Sequence, residues 1–288
     1  MPASALEDWA GWLEDWAVPP EILANAEASP WVLPREVFSR RADRQIAEPT
    51  GPTHGAALAA LEQPGTVLDV GSGAGATSLA LIGRAPVTAI TAVDNDADLL
   101  AAFAERAEQL PVGASAVKGW WPDVAVDVKP ADVVVCGHVL YNIRDLGPFV
   151  LALTDHARRQ VVVEITARHP LASLNPLWQR FHAVTRPGRP TADDCLAALA
   201  EVGISPEVTR WSRPAEPEYA EFGDLVEVTR RRLCLPAGAA AEVAVALREM
   251  GQDPANPPDL GSSGRELVTM TWAGTAAGRG SPRAATRR

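Results

Sequence analysis

From Thr66 onward, short runs of β-branched and aliphatic residues alternate with stretches of helical period, which predicts βαβ units and a parallel sheet. Strands are expected at Thr66–Val70, Val87–Val93, Ser115–Gly119, Asp132–Cys136 and Arg159–Ile165, with helices at Ala76–Ile82, Asp96–Gln109 and Asp145–Ala157 between them. Several of these strands are apolar at consecutive positions rather than alternating, as strands covered by helices on both faces are. Two later strands, near Glu207–Trp211 and Glu266–Trp272, complete the expected α/β fold. The pattern is that of a doubly wound, mostly parallel, seven-stranded sheet.

Ahead of the sheet, Leu6 to about Ala28 reads as helical, and Trp9, Trp12, Leu13 and Trp16 fall on one apolar face. Such a stripe packs on the main domain or forms a lid over a site. Pro30, Pro34, Pro49 and Pro52 mark a loop-rich stretch, after which Thr53–Leu61 reads as a short helix. Beyond Arg168 the prolines at 170, 176, 187 and 190 loosen the pattern. Thr191 then caps a helix whose first turn carries Asp193 and Asp194 and which stops at Gly203. Helical material is expected from Tyr219 to Met250. The organisation expected is a helical extension or lid over 1–60, a main domain over 61–273 with a helical insertion at about 216–250, and a disordered, basic tail over 274–288.

Composition narrows the function classes. A chain of 288 residues buries roughly 70–75% of its unfolded surface, so a sizeable core is feasible. No run approaches the ~18 apolar residues of a membrane span, and the acidic N-terminus lacks the features of a signal peptide. The expectation is a cytoplasmic protein with no membrane partner. A formal net charge of −10 opposes binding to nucleic acid. Cys136, Cys195 and Cys234 lie far apart, and the five histidines lack paired spacing, so neither disulfides nor a metal site is expected. The preference for Arg over Lys, with abundant Ala, Gly and Pro, is associated with high-GC bacterial genomes of the actinobacterial type.

The run Val67-Leu68-Asp69-Val70-Gly71-Ser72-Gly73-Ala74-Gly75 closes a buried strand with a turn that needs glycine, because backbone N–H groups must approach a ligand without a Cβ in the way. A helix from about Ala76 would add its positive end. The spacing Gly71, Gly73, Ala76 also satisfies a permissive dinucleotide pattern, but Asp69 stands where that fold usually has an apolar residue. Asp94 closes the second strand about twenty residues on, in position to accept hydrogen bonds from ribose hydroxyls. An adenosine-bearing ligand is indicated.

These residues resemble motif I and the second-strand acid of the class I S-adenosylmethionine-dependent methyltransferases, over roughly Pro64 to Ile165. The resemblance implies a Rossmann-like fold and S-adenosylmethionine as cofactor. It implies that Asp69 positions the methionine end, with Gly71, Ser72, Gly73 and Gly75 forming the loop. Asp94 would bind ribose, and Asn95 would lie beside the adenine. The segment Ala131 to Asn142, with Cys136, is similar to the fourth strand and the loop facing the sulfonium. The sequence departs from the family after the third strand, where Gly119-Trp120-Trp121-Pro122-Asp123 stands. There, Asp123 reaches the adenine amine, or Trp120 or Trp121 packs on the ring, or the indoles belong to the core.

Methyl transfer is an in-line displacement, so alignment and exclusion of water dominate, and a base is needed only where the acceptor must lose a proton. His138 and Tyr141, beyond the fourth strand, are the candidate catalytic residues; an unperturbed imidazole titrates near neutrality. The resemblance implies that Glu164, His169, Asn175, Trp178 and His182, at or after the end of the fifth strand, help enclose the substrate; the alternative is that they are ordinary loop and packing residues. Arg230-Arg231-Arg232 holds an acidic group on a substrate or, as the usual reading of a charge run on a helix, is a solvated face. A small-molecule acceptor is the leading expectation; RNA or protein acceptors, a non-catalytic binding or assembly protein, and a nicotinamide-dependent oxidoreductase are the alternatives.

Overall fold

A computed structural model describes residues 4–31, 35–214, 216–261 and 265–276. Strands β1 (Gly65–Val70), β2 (Val87–Asp94), β3 (Gly113–Lys118), β4 (Ala131–Gly137), β5 (Ala157–Thr166), β6 (Glu207–Ser212) and β7 (Glu266–Ala273) form one sheet in the order β3-β2-β1-β4-β5-β7-β6. All neighbours are parallel except β7, which runs antiparallel to β5 and β6. The strand order reverses between β1 and β4, and the register Asp69↔Ala92 and Asp69↔Val135 aligns the carboxyl ends of β1, β2 and β4 along one edge. Open α/β sheets bind ligands at this switch point.

Helices α1 (Ala5–Glu14), α2 (Pro20–Leu23), α3 (Arg35–Ala47) and α4 (Pro52–Ala60) precede the sheet. Helices α5 (Ala97–Ala107), α6 (Leu146–His156), α7 (Asn175–His182) and α8 (Ala192–Glu201) follow β2, β4 and β5, and α9 (Phe222–Arg232) and α10 (Ala240–Glu249) are inserted between β6 and β7. Alternate residues of the strands serve opposite faces. Leu68, Val70, Val134, Cys136 and Val163 pack with Trp9 of α1 and with α6 and α8, while Val67, Ile90, Val133, Val135 and Val162 pack under α4 and α5. A second core joins α7, α9 and α10 to Val18 and Val37. Among the described residues no helix is long and apolar enough to cross a membrane.

Local physics corrects four expectations. The segment 76–82 is not an α-helix; only a 3₁₀ turn forms, at Leu79–Leu81. Three consecutive residues there, Leu79, Ala80 and Leu81, are buried, which the single stripe of an amphipathic helix does not accommodate, and Gly83 at φ 77 reverses the chain. The N-terminal helix ends at Glu14, since Pro19 and Pro20 lack the N–H that would continue it, and α2 restarts with Pro20 in its first turn. Within the proline-marked stretch, α3 spans 13 residues that contain no proline. The tail is held at its start: the Gly274 N–H donates to the Arg159 carbonyl and the Thr275 N–H to the Thr154 carbonyl. Residues 277–288, read as disordered, lie outside the described residues.

Candidate active site

The glycine loop leaves β1 through left-handed backbone at Gly71 (φ 71), Gly73 (φ 51) and Gly75 (φ 91). A Cβ on Gly71 would lie 2.2 Å from Val139 Cγ2, whereas one on Gly73 would meet no atom within 4 Å. The first glycine thus permits close packing of the loop on the segment after β4, and the second faces open space. Asp94 ties the loop to β2: its Oδ2 accepts the Gly73 N–H at 2.8 Å and its Oδ1 the Asp96 N–H at 2.9 Å. Each oxygen keeps a lone pair for a ribose hydroxyl. This cradle of left-handed glycines beside an oriented carboxylate fits S-adenosylmethionine.

Asp69 is enclosed beside the loop. It is 1% exposed behind the loop, where the Ser78 hydroxyl donates to its Oδ2 at 2.5 Å. Burial pushes its carboxyl up to about 7, against the Ser78 hydrogen bonds that favour the charge. Asp69 is therefore tied to Ser78 in the segment after the loop. Cys136 also turns inward, into the core under α6 and α8, and burial raises its thiol well above the usual range. On the adenine side the indoles divide. Trp121 belongs to the core, its Nε1–H donating to the Phe149 carbonyl at 3.3 Å and its ring edge-on to His156, so it is not an adenine platform. Trp120 is 65% exposed, Asn95 and Asp123 are exposed, and the Gly119 N–H donates to the Asp94 carbonyl, which sets Trp120 two residues beyond Lys118, the strand partner of Asp94.

The segment 138–142 separates the glycine loop from a cavity of about 600 Å³. Val139 faces the loop, while His138, Tyr141 and Asn142 line the cavity together with Trp16, Trp31, Phe38 and His169. His138 adopts φ 60, and its N–H donates to the Glu164 carbonyl at 2.7 Å. Its side chain returns to the same residue, with Nε2 2.9 Å from Glu164 Oε1. Glu164 Oε2 accepts from the Thr53 hydroxyl, which also meets Thr269 Oγ1 at 2.7 Å. Burial opposes ionisation of Glu164, but the contact with His138, the Thr53 hydroxyl and the charge of Arg213 outweigh it and hold the carboxyl at about 2. Glu164 is thus a fixed anion that orients the His138 ring through Nε2. Spacing alone does not pair positions 26 residues apart; β4 and β5 do, through the register Gly137↔Glu164.

Tyr141 is a wall and not an acid or base. Its hydroxyl donates to the Thr166 carbonyl at 2.8 Å, its ring stacks on Trp9, and burial raises its phenol above the usual range. His169 stacks on Trp16 with ring centroids 4.0 Å apart, and its Nδ1 accepts the Leu171 N–H. Asn175 donates to the Pro187 carbonyl, His182 meets the Leu233 carbonyl, and Trp178 lies in the second core, so these three are structural. The arginine run is not a solvated face: Arg230 is buried and paired with Glu227, and Arg232, at the cavity wall, pairs with the buried Asp259. Sequence reasoning did not single out Trp31, Phe38, Thr53 or Arg213, because long-range docking brings them to the site.

Burial of His169, with Arg186 nearby, lowers its pKa to about 3, so the unfolded chain takes up a proton near the ordinary value of about 6.5 that the folded chain refuses. This contribution to stability is full above about 6.5 and is lost progressively as the pH falls toward 3. His169→Phe, which keeps the stacking and removes the titration, is expected to flatten the fall of the melting temperature between pH 6.5 and 4. An unchanged slope would show that other groups govern it.

Residues 67–160 match the family described as methyltransferase domain. No curated protein matches the sequence. Among solved structures, the YcgJ protein from Bacillus subtilis is 15% identical, with a TM-score of 0.50 over 77% of this chain and 97% of that one. Magnesium protoporphyrin IX methyltransferase from Synechocystis with bound S-adenosylhomocysteine is 12% identical, with a TM-score of 0.48 over 94% and 98% of the two chains. A S-adenosylmethionine-dependent methyltransferase from Thiobacillus denitrificans, in complex with S-adenosylhomocysteine, is 17% identical, with a TM-score of 0.46 over 84% and 98%.

Proposed function

We propose that the chain is a class I S-adenosylmethionine-dependent methyltransferase, as the match of residues 67–160 to a methyltransferase domain supports, and that it methylates a small organic acceptor held in the cavity beyond His138. The observation that carries this reading is the segment 138–142, one side of which touches the glycine loop while the other lines an aromatic-walled space of about 600 Å³. That volume is in the range of small-molecule sites, ~300–1,000 Å³. The net charge of −10 argues further against a nucleic-acid acceptor.

S-adenosylmethionine, when bound, supplies a methyl group on a sulfonium that is displaced in line by a nucleophile. The loop at Gly71–Gly75 and Asp94 would hold it, with Trp120, Asn95 or Asp123 on the adenine side. The chain's own residues then align, dehydrate and deprotonate. Trp16, Phe38 and Tyr141 wall the acceptor from water, which favours a displacement between a neutral nucleophile and a cation. His138 takes the acceptor's proton at Nδ1, and Glu164 stabilises the imidazolium through Nε2.

Calorimetric titration with S-adenosylmethionine, S-adenosylhomocysteine and NAD tests the reading. The two sulfur ligands are expected to bind and NAD not to bind. Asp94→Ala removes two charge-assisted hydrogen bonds to ribose, each worth ~1.5–3 kcal/mol, and is expected to raise Kd about 100-fold or more. His138→Gln should leave that Kd in place and slow transfer to a proton-bearing acceptor by ~10²–10⁴. Binding of NAD alone would overturn the proposal.

A further inference from the structure

A second, smaller chamber of about 70 Å³ adjoins the cavity, with His138 and Arg41 in the walls of both. Its walls include Thr53, His54, Thr77, Glu164 and Arg213. Two of its polar groups are unsatisfied. Among the described residues, buried Nη2 of Arg213 and buried Nε2 of His54 have no hydrogen-bond partner. The other charges around the chamber are engaged. Glu164 uses one oxygen for His138 and the other for Thr53, Arg44 pairs with Glu216 and Glu218, and Arg41 pairs with Glu218. Arg213 forms no ion pair within 4 Å among the described residues.

An unsatisfied N–H on a buried cation costs more than the ~1–3 kcal/mol of a neutral donor, so the chamber favours an occupant that brings an acceptor and a negative charge. Its volume holds a carboxylate, or about two waters at ~30 Å³ each. We propose that the methyl acceptor carries a carboxylate, which binds the Arg213 guanidinium in this chamber and sets the acceptor's nucleophile beside His138. The proposal rests on the methyl-transfer reading above. The apolar body of the acceptor then lies among Trp16, Trp31 and Phe38 in the larger cavity. His54 places Nδ1 3.1 Å from the Thr50 carbonyl, and its Nε2 is the other buried polar atom of the chamber without a partner among the described residues.

The test is calorimetric titration of the full chain with benzoate and with benzamide, an isosteric neutral probe, in the presence and absence of S-adenosylhomocysteine. Benzoate is expected to bind at least tenfold more tightly than benzamide. Arg213→Gln should remove that preference while leaving affinity for benzamide and S-adenosylhomocysteine unchanged. Equal binding of the two probes by the unmodified protein would overturn the proposal, leaving the chamber to water. Loss of S-adenosylhomocysteine affinity in Arg213→Gln would also overturn it, by giving the guanidinium to the cofactor. Failure of the unmodified protein to bind S-adenosylhomocysteine would instead sink the methyl-transfer reading, and the probe comparison would still stand on its own.

Discussion

Trp9→Ala is expected to destabilise the protein by about 3–5 kcal/mol, the range for removing a fully buried aromatic side chain. Trp9 is 0% exposed, its Nε1–H donates to the Ile143 carbonyl at 2.8 Å, and its ring stacks on Tyr141 at 5.6 Å. The substitution removes the ring, leaves that carbonyl without its partner and opens a void beside the segment that carries His138. Around α1 the chain is fastened at several further points. The Ser4 hydroxyl donates to Glu201, the Trp16 indole donates to the Arg189 carbonyl, and Arg186 donates to the Ala17 carbonyl. Chemical denaturation monitored by tryptophan fluorescence measures the effect. A loss below ~1 kcal/mol would mean that α1 is a detachable lid; the larger loss marks it as a fixed wall of the cavity. Trp9→Phe, which restores most of the volume but not the indole donor, should recover most of the stability and so separate packing from the hydrogen bond.

Gly71→Ala is expected to weaken binding of S-adenosylhomocysteine by about 100-fold with little change in secondary structure. At φ 71 an L side chain costs ~1–2 kcal/mol, and the new Cβ would lie 2.2 Å from Val139 Cγ2. Relief requires the loop to separate from the 138–142 segment, at a further ~1–3 kcal/mol of overpacking. The two contributions can be told apart. Val139→Ala removes the clashing methyl, so Gly71→Ala combined with Val139→Ala should regain the steric part, about tenfold in affinity over Gly71→Ala alone, measured beside both single variants. Strictly additive losses in the double variant would show that the glycine is required for its backbone angle alone. Gly73→Ala makes the contrasting case. Its Cβ meets no protein atom within 4 Å, so any loss of affinity beyond the backbone term reports contact with the ligand itself.

Much of the fold was legible because its signals are local. Each of the seven strands lies within two residues of its place in the hydrophobic pattern, since consecutive apolar positions are required wherever helices cover both faces of a sheet. The capping box at Thr191 and Asp194 and the left-handed Gly203 bound α8 for reasons of backbone chemistry alone. The stretch after Gly75 misled because burial of three consecutive residues overrode helical propensity, and α3 was hidden by the prolines that flank it.

The candidate site divides the same way. The sequence by itself determined the glycine loop, Asp94 and the segment after β4, because a tight turn and a strand-end acid are recognisable from residue type and spacing. Only the tertiary structure decided what those residues do. It turned Asp69 and Cys136 inward, assigned Trp121 to the core and tied the Tyr141 hydroxyl to Thr166. It also set Glu164 against His138 and left Arg213 Nη2, among the described residues, without a hydrogen-bond partner. Spacing fixes where the backbone turns, whereas the partner and solvation of a side chain depend on which distant elements dock against it, and those set its charge and its chemistry.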